Sequence, residues 1–141
     1  MLKQWLAVLG LGLLLALAAA TAGAQSTALS IELNRLQQDG EGCRFDLVIA
    51  NRLEVAFSSF SADLVFFDHD GVITTRASTH FGRLRPLKTH LRSFVLSPFD
   101  CGNVARVLLN DIIQCGHDQG EAFDCLDAVE VSHRGAVALV K

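Results

Sequence analysis

The chain has 141 residues, with 12 Lys and Arg against 15 Asp and Glu for a formal charge of −3, and it carries four Cys, nine Phe and a single Trp. That mildly acidic balance is wrong for nucleic acid, which rewards basic patches. It also offers little electrostatic adhesion to anionic lipid.

Residues 1–24 have the layout of a secretory signal peptide. Lys3 supplies one positive charge, the stretch from Trp5 to Ala20 is uncharged and rich in Leu and Ala, and Ala22-Gly23-Ala24 forms a small-residue cleavage site. The mature start falls near Gln25, or two residues earlier if Ala20-Thr21-Ala22 is cut. As an uncleaved anchor the apolar stretch is short of the ~20 residues a span needs, so no stable membrane anchor is expected after cleavage. No Cys stands at the cut for lipid attachment, and no Arg pair precedes the apolar run, which fits general secretion better than the twin-arginine route. Cleavage removes Lys3 and takes the formal charge from −3 to −4. It leaves residues 25–141, enough for one domain and too few for two good cores.

The mature part alternates with period two. Leu29, Ile31 and Leu33 mark a first strand, and Asp39 to Gly42 a turn. Cys43, Phe45, Leu47 and Ile49 mark a second strand, which ends at Asn51-Arg52. Phe60, Ala62, Leu64 and Phe66 mark a third. Asp68-His69-Asp70-Gly71 is a hairpin signal, with Val72 to Ser78 as the return strand. After a bend at Arg83–Pro86, Leu91 to Leu96 reads as a fifth strand, Val104 to Ile113 as a sixth and Leu126 to Val131 as a seventh. The sixth also matches a helical stripe (Val104, Val107, Leu108, Ile112) with Asn103 as N-cap; its short, continuously apolar run favours strand. Seven short strands with turns at this spacing predict one all-β domain, an antiparallel immunoglobulin-like β-sandwich.

All four cysteines (Cys43, Cys101, Cys115, Cys125) lie in the mature part, and an even count in an exported chain of this size predicts two disulfides. In an immunoglobulin-like order the second and fifth strands are antiparallel neighbours, which pairs Cys43 with Cys101. The sixth and seventh strands are also expected to be neighbours, which pairs Cys115 with Cys125.

Motifs that carry chemistry are scarce. There is no C-x-x-C for redox or zinc chemistry, no G-x-S-x-G elbow, and none of the five His stands within five residues of another. Asp68, His69 and Asp70 form the best nucleus for a metal site, because a hairpin tip presents three ligands together. The competing reading is a solvated turn whose Asp residues bond to local backbone. As a calcium loop it lacks the closing Glu, since Thr79 stands at position twelve. Asp124 with Asp127, and Asp111 beside Asn110, read as exposed loop and edge residues rather than acid–base pairs. No enzymatic activity and no cofactor is expected.

Two features suit a protein partner. Lys88, His90 and Arg92 alternate along the fifth strand and would share one side of it, as a contact for an acidic partner or an anionic glycan, or as a solvated outer face. Phe67 follows Phe66, and adjacent strand residues face opposite ways, so an exposed Phe67 would mark a contact patch.

Four segments together resemble a group of uncharacterised exported proteins of alphaproteobacteria, often labelled by a twin-arginine signal. They are Ser30–Asn34, Leu64–Asp68 with Asp70–Ile73, Arg106–Asp111 and Asp124–Ala128, taken with the cysteine placement. This chain lacks the Arg pair of that label. A strand closing on Asp68-His69-Asp70-Gly71, followed by one led by Leu84-Arg85-Pro86, is similar to periplasmic immunoglobulin-like accessory domains. The resemblance implies the fold and a binding role; an exported, disulfide-stapled domain with no chemistry-bearing motif is expected to be a non-enzymatic periplasmic domain that binds an envelope protein or plays a structural role there. The alternative is a metal or small-ligand carrier built on His69 and its carboxylates.

Overall fold

A computed structural model describes residues 28–117 and 124–141. The expected signal peptide and its cleavage site lie outside the described residues. Eight strands run through the described part: β1 (Leu29–Asp39), β2 (Gly42–Asn51), β3 (Phe57–Phe67), β4 (Ile73–His80), β5 (Lys88–Leu96), β6 (Arg106–His117), β7 (Val129–His133) and β8 (Ala138–Val140). A 3-10 turn covers Cys101–Asn103 and a single helical turn, α1, covers Cys125–Ala128.

The strands form two four-stranded sheets, in the order β5-β2-β1-β7 and β4-β3-β6-β8. The chain is thus the disulfide-bonded, all-β sandwich that its alternation predicts. Period two does the sorting: Leu29, Ile31 and Leu33 of β1, Phe45, Leu47 and Ile49 of β2, and Phe60, Ala62, Leu64 and Phe66 of β3 all point into the space between the sheets. A bulge between Leu33 and Arg35 then shifts the phase of β1. The extra residue lets Leu36 oppose Phe45 while Arg35 turns outward opposite Asp46.

With no Tyr and no Trp in the described residues, phenylalanine fills the core. Phe99, Phe66, Phe45, Phe94, Phe81, Phe60 and Phe57 form an unbroken series of ring contacts, with centroids 5.5–5.8 Å apart. Phe45 and Phe66 meet edge to face between the sheets. Each such pair contributes about 1 kcal/mol beyond its buried area.

The expectation of strand for the sixth segment holds, and four others need correction. The sixth segment is a strand and carries no helix, because Val107 and Leu109 face the core while β3 and β8 hydrogen-bond its two edges. The seventh strand begins later than expected: Asp124 accepts a bond from the Asp127 amide and caps α1, so Cys125–Ala128 coils and β7 starts only at Val129. An eighth strand of three residues is added, too short to show a period. Finally, β6 and β7 are not neighbours but lie in different sheets. Two of the pairings, β1 with β7 and β6 with β8, are parallel rather than antiparallel.

Both predicted disulfides are present. Cys43–Cys101 closes where β2 and β5 pair, with Cys43 opposite Leu96 and the 3-10 turn just beyond. Cys115–Cys125 ties β6 of the second sheet to α1, which leads into β7 of the first. It therefore bridges the two layers instead of joining adjacent strands.

Candidate functional site

The hairpin tip between β3 and β4 is a turn held by its own carboxylate. Asp68 Oδ1 accepts from the amides of Asp70 (2.9 Å) and Val72 (2.8 Å), and the Asp68 amide donates to the Val72 carbonyl. Gly71 takes φ +78°, which only a residue without Cβ adopts at little cost. His69 leaves the turn to hydrogen-bond the carbonyl of Gly102 at 2.9 Å. A carbonyl only accepts, so Nε2 of His69 carries the proton there. The three expected ligands therefore do not converge: Asp68 is engaged by backbone, and His69 pins the hairpin to the 3-10 turn. Among the described residues no group of three or more His, Cys, Asp or Glu is placed to hold a metal ion.

The basic strand is arranged differently from the solvated outer face that its alternation suggests. His90 is only 8% exposed and faces inward, and its Nε2 accepts the amide of Arg85 at 3.0 Å. An amide only donates, so this nitrogen is unprotonated. Burial, and then the charges of Arg92, Lys88 and Arg85, hold its pKa below the usual histidine range. Arg92 folds back across the edge of β5, donating to the carbonyls of Phe81 (2.7 Å), Leu91 (3.0 Å) and Arg83 (3.4 Å). Only Lys88 projects freely into solvent, beside a recess of about 290 Å³ lined with Ala50, Asn51, Arg52, Leu87 and Thr89.

What the alternation puts outside instead is apolar. Leu91 is 62% exposed and Val95 49%, and Leu87, just before the strand, is 68% exposed in a left-handed backbone conformation (φ 50°). The signal for this was in the sequence: Phe94 belongs to the core, and residues an even number of positions away must share its side. That parity sends His90 and Arg92 inward and Leu91 and Val95 outward.

Phe67 is half-buried rather than open. The Arg106 guanidinium lies 4.4 Å from its ring centroid, a cation–π contact that covers part of the patch. Its neighbour Val65 is buried.

Other ionisable groups are spent on structure. Asp46 accepts from the Ser93 hydroxyl (2.6 Å) and pairs with Arg35 (3.0 Å), and these contacts lower its pKa. Asp63, held by Arg76 and Asn110, is lowered likewise. Asn51, 1% exposed, donates to the carbonyls of Val55 (2.9 Å) and Arg85 (3.0 Å) and accepts the Leu53 amide (3.0 Å). The larger recess, about 320 Å³, lies beside the Cys43–Cys101 bond between the β1 bulge and Gly135–Val137. Among the described residues Arg35 is the only ionisable group in its lining.

Fold and side chains together define a class: a disulfide-stapled, two-sheet β-sandwich in which, among the described residues, every buried side-chain polar atom has a hydrogen-bond partner. The fold is similar to that of IrmA from Escherichia coli, with a TM-score of 0.54 at 16% identity over 73% of this chain and 89% of that one. A looser likeness, TM-score 0.40 at 10% identity, is to a DUF1425 family member from Shewanella sp. pv-4, over 67% of this chain and 79% of that one. At these identities the likeness is one of fold. No protein-family model matches the chain, and no curated protein matches it. The resemblance to alphaproteobacterial exported proteins rests on the sequence segments alone. Among the described residues no helix is long and apolar enough to cross a membrane.

Proposed function

We propose that the protein is a non-enzymatic accessory domain of the periplasm, exported by a signal peptide cleaved near Gln25, that binds a protein partner of the cell envelope. The observation that carries this reading is how the polar side chains are used. Asp46, Asn51, Asp68, His69, His90 and Arg92 each satisfy a partner within the fold, while apolar strand surface is left in the open. The two disulfides support an oxidising compartment.

A native mass spectrum of the untagged protein from a periplasmic extract tests the location and the absence of cargo. The expected mass is that of residues 25–141 less four hydrogens, with no adduct. A retained metal or small molecule, lost on His69→Ala, would overturn the reading in favour of a carrier. Crosslinking in intact cells that repeatedly returns no envelope protein would count against the binding role.

A further inference from the structure

We propose that β5 is a docking edge, and that its occupant is an extended acidic segment of another protein, which adds to the first sheet as a fifth strand. This rests on the reading of the protein as a binding domain and names the surface and the partner chemistry.

Among the described residues the sheet order leaves one side of β5 without a strand neighbour. An open edge invites pairing, and proteins protect such edges with short strands or polar side chains. The other edges follow that rule. β7 has five residues and β8 three, and the outward row of β4 is Thr74, Arg76, Ser78 and His80. β5 departs from it, with nine residues and Leu91 and Val95 on its outer face. Leu91 lies opposite Val48 of β2, which is half-buried, so the apolar strip continues onto the next strand. Arg92 guards the edge by donating to the Leu91 carbonyl.

Charge identifies the occupant. From Gly71 to Phe99 the chain has no Asp or Glu, but it has Arg76, Arg83, Arg85, Lys88 and Arg92. Arg85 and Lys88 are exposed. The carboxylate that β2 brings to this face, Asp46, is already held by Arg35 and Ser93. The edge thus offers backbone groups, alternate apolar side chains and positive charge. The complement is a strand that alternates apolar and acidic residues, with main-chain bonds supplying affinity and side chains specificity. A carboxylate in that strand can also take over the Arg92 guanidinium through a charge-assisted bond. A second copy fits poorly: antiparallel pairing of two β5 edges centred on His90 sets Lys88 against Arg92, and pairing centred on Arg92 sets that residue against itself.

The test is amide-resolved NMR of the oxidised protein with an acetylated, amidated eight-residue peptide alternating Glu and Val. A peptide alternating Lys and Val is the control. The expected result is shifts and slowed amide exchange confined to Thr89–Leu96 with the Glu peptide, and none with the Lys peptide. Arg85→Glu combined with Lys88→Glu should weaken binding at least tenfold, and Leu91→Ser severalfold. All three positions are exposed, and an unchanged amide spectrum elsewhere verifies the fold. No shifts on β5, equal shifts with both peptides, or concentration-dependent shifts of the same amides without peptide (a second copy) would overturn the proposal. So would β5 shifts with phosphatidylglycerol vesicles and not with the peptide. A crosslinked envelope partner that maps to another face would overturn this surface alone and leave the binding role standing.

Discussion

His90 and Asn51 show how single residues hold this sandwich. His90 is buried among cations, with its unprotonated Nε2 bonded to the Arg85 amide. Its folded pKa is below the ordinary value of 6.5, so the unfolded chain binds the extra proton and acid favours unfolding. The His90 contribution is fully present above pH 6.5 and is lost as pH falls below that value toward the folded pKa. Thermal melts from pH 7.5 to 5 should therefore show a decline that His90→Gln flattens. Asp46, Asp63 and Glu32 are also lowered, but from ordinary values near 4. Their stabilisation is present above that range and fails in a separate step at lower pH, which the His90 variant leaves unchanged. Asn51→Ala removes a buried side chain that ties Leu53, Val55 and Arg85 together. The backbone groups left unsatisfied should cost about 3 kcal/mol, read as a lower urea midpoint. The alternation of β2 places Asn51 inward on the parity of Ile49. Leu53 and Val55 are near it in sequence, but the Arg85 carbonyl was not legible, because only the fold brings it there.

At the scale of elements, the two disulfides differ in the loops that they close. Cys43–Cys101 spans 58 residues and Cys115–Cys125 spans 10. Loop-closure entropy assigns about 4 kcal/mol to the first and about 3 kcal/mol to the second. Replacing each pair by Ala should lower the urea midpoint more for Cys43–Cys101, and equal losses would show that native packing dominates. The first pairing was readable because β2 and β5 are neighbours, as the strand order implied. The second forms by a different route: the supposed strand neighbours lie in separate sheets, and α1 brings Cys125 to β6. Gly42 is a third element-level constraint, where a Cβ would lie 2.8 Å from the Leu96 carbonyl and from Val95 Cγ1. Gly42→Ala must push β2 and β5 apart, and should destabilise by about 2 kcal/mol, with amide shifts concentrated at Val95 and Leu96.

At the scale of the whole molecule, the last strands lock the layers together. β7 completes the first sheet and β8 the second, so the closing segment crosses from one layer to the other. Leu139 is buried in the core, and Lys141 donates to the carbonyls of Leu126 (2.9 Å) and Val129 (2.6 Å). A chain ending at Arg134 loses β8, should lose about 2 kcal/mol from Leu139 burial alone, and exposes the β6 edge. Hydrogen exchange should then accelerate at Arg106–Leu108, the residues that β8 pairs.

What the amino-acid order by itself determined is local: which residues alternate, where Asp and Gly turn the chain, and that four cysteines in one small domain would pair. Alternation and turns follow from the pleat and from turn stereochemistry, which act over a few residues, and the pairing from an even cysteine count in an exported chain. Only the tertiary structure decided which strands became edges, that β6 and β7 fall in different sheets, and that His69 reaches the Gly102 carbonyl. Each of these depends on contacts between distant segments, such as β1 with β7 or His69 with Gly102. Local periodicity supplies the side of a strand but not the neighbour that will cover it.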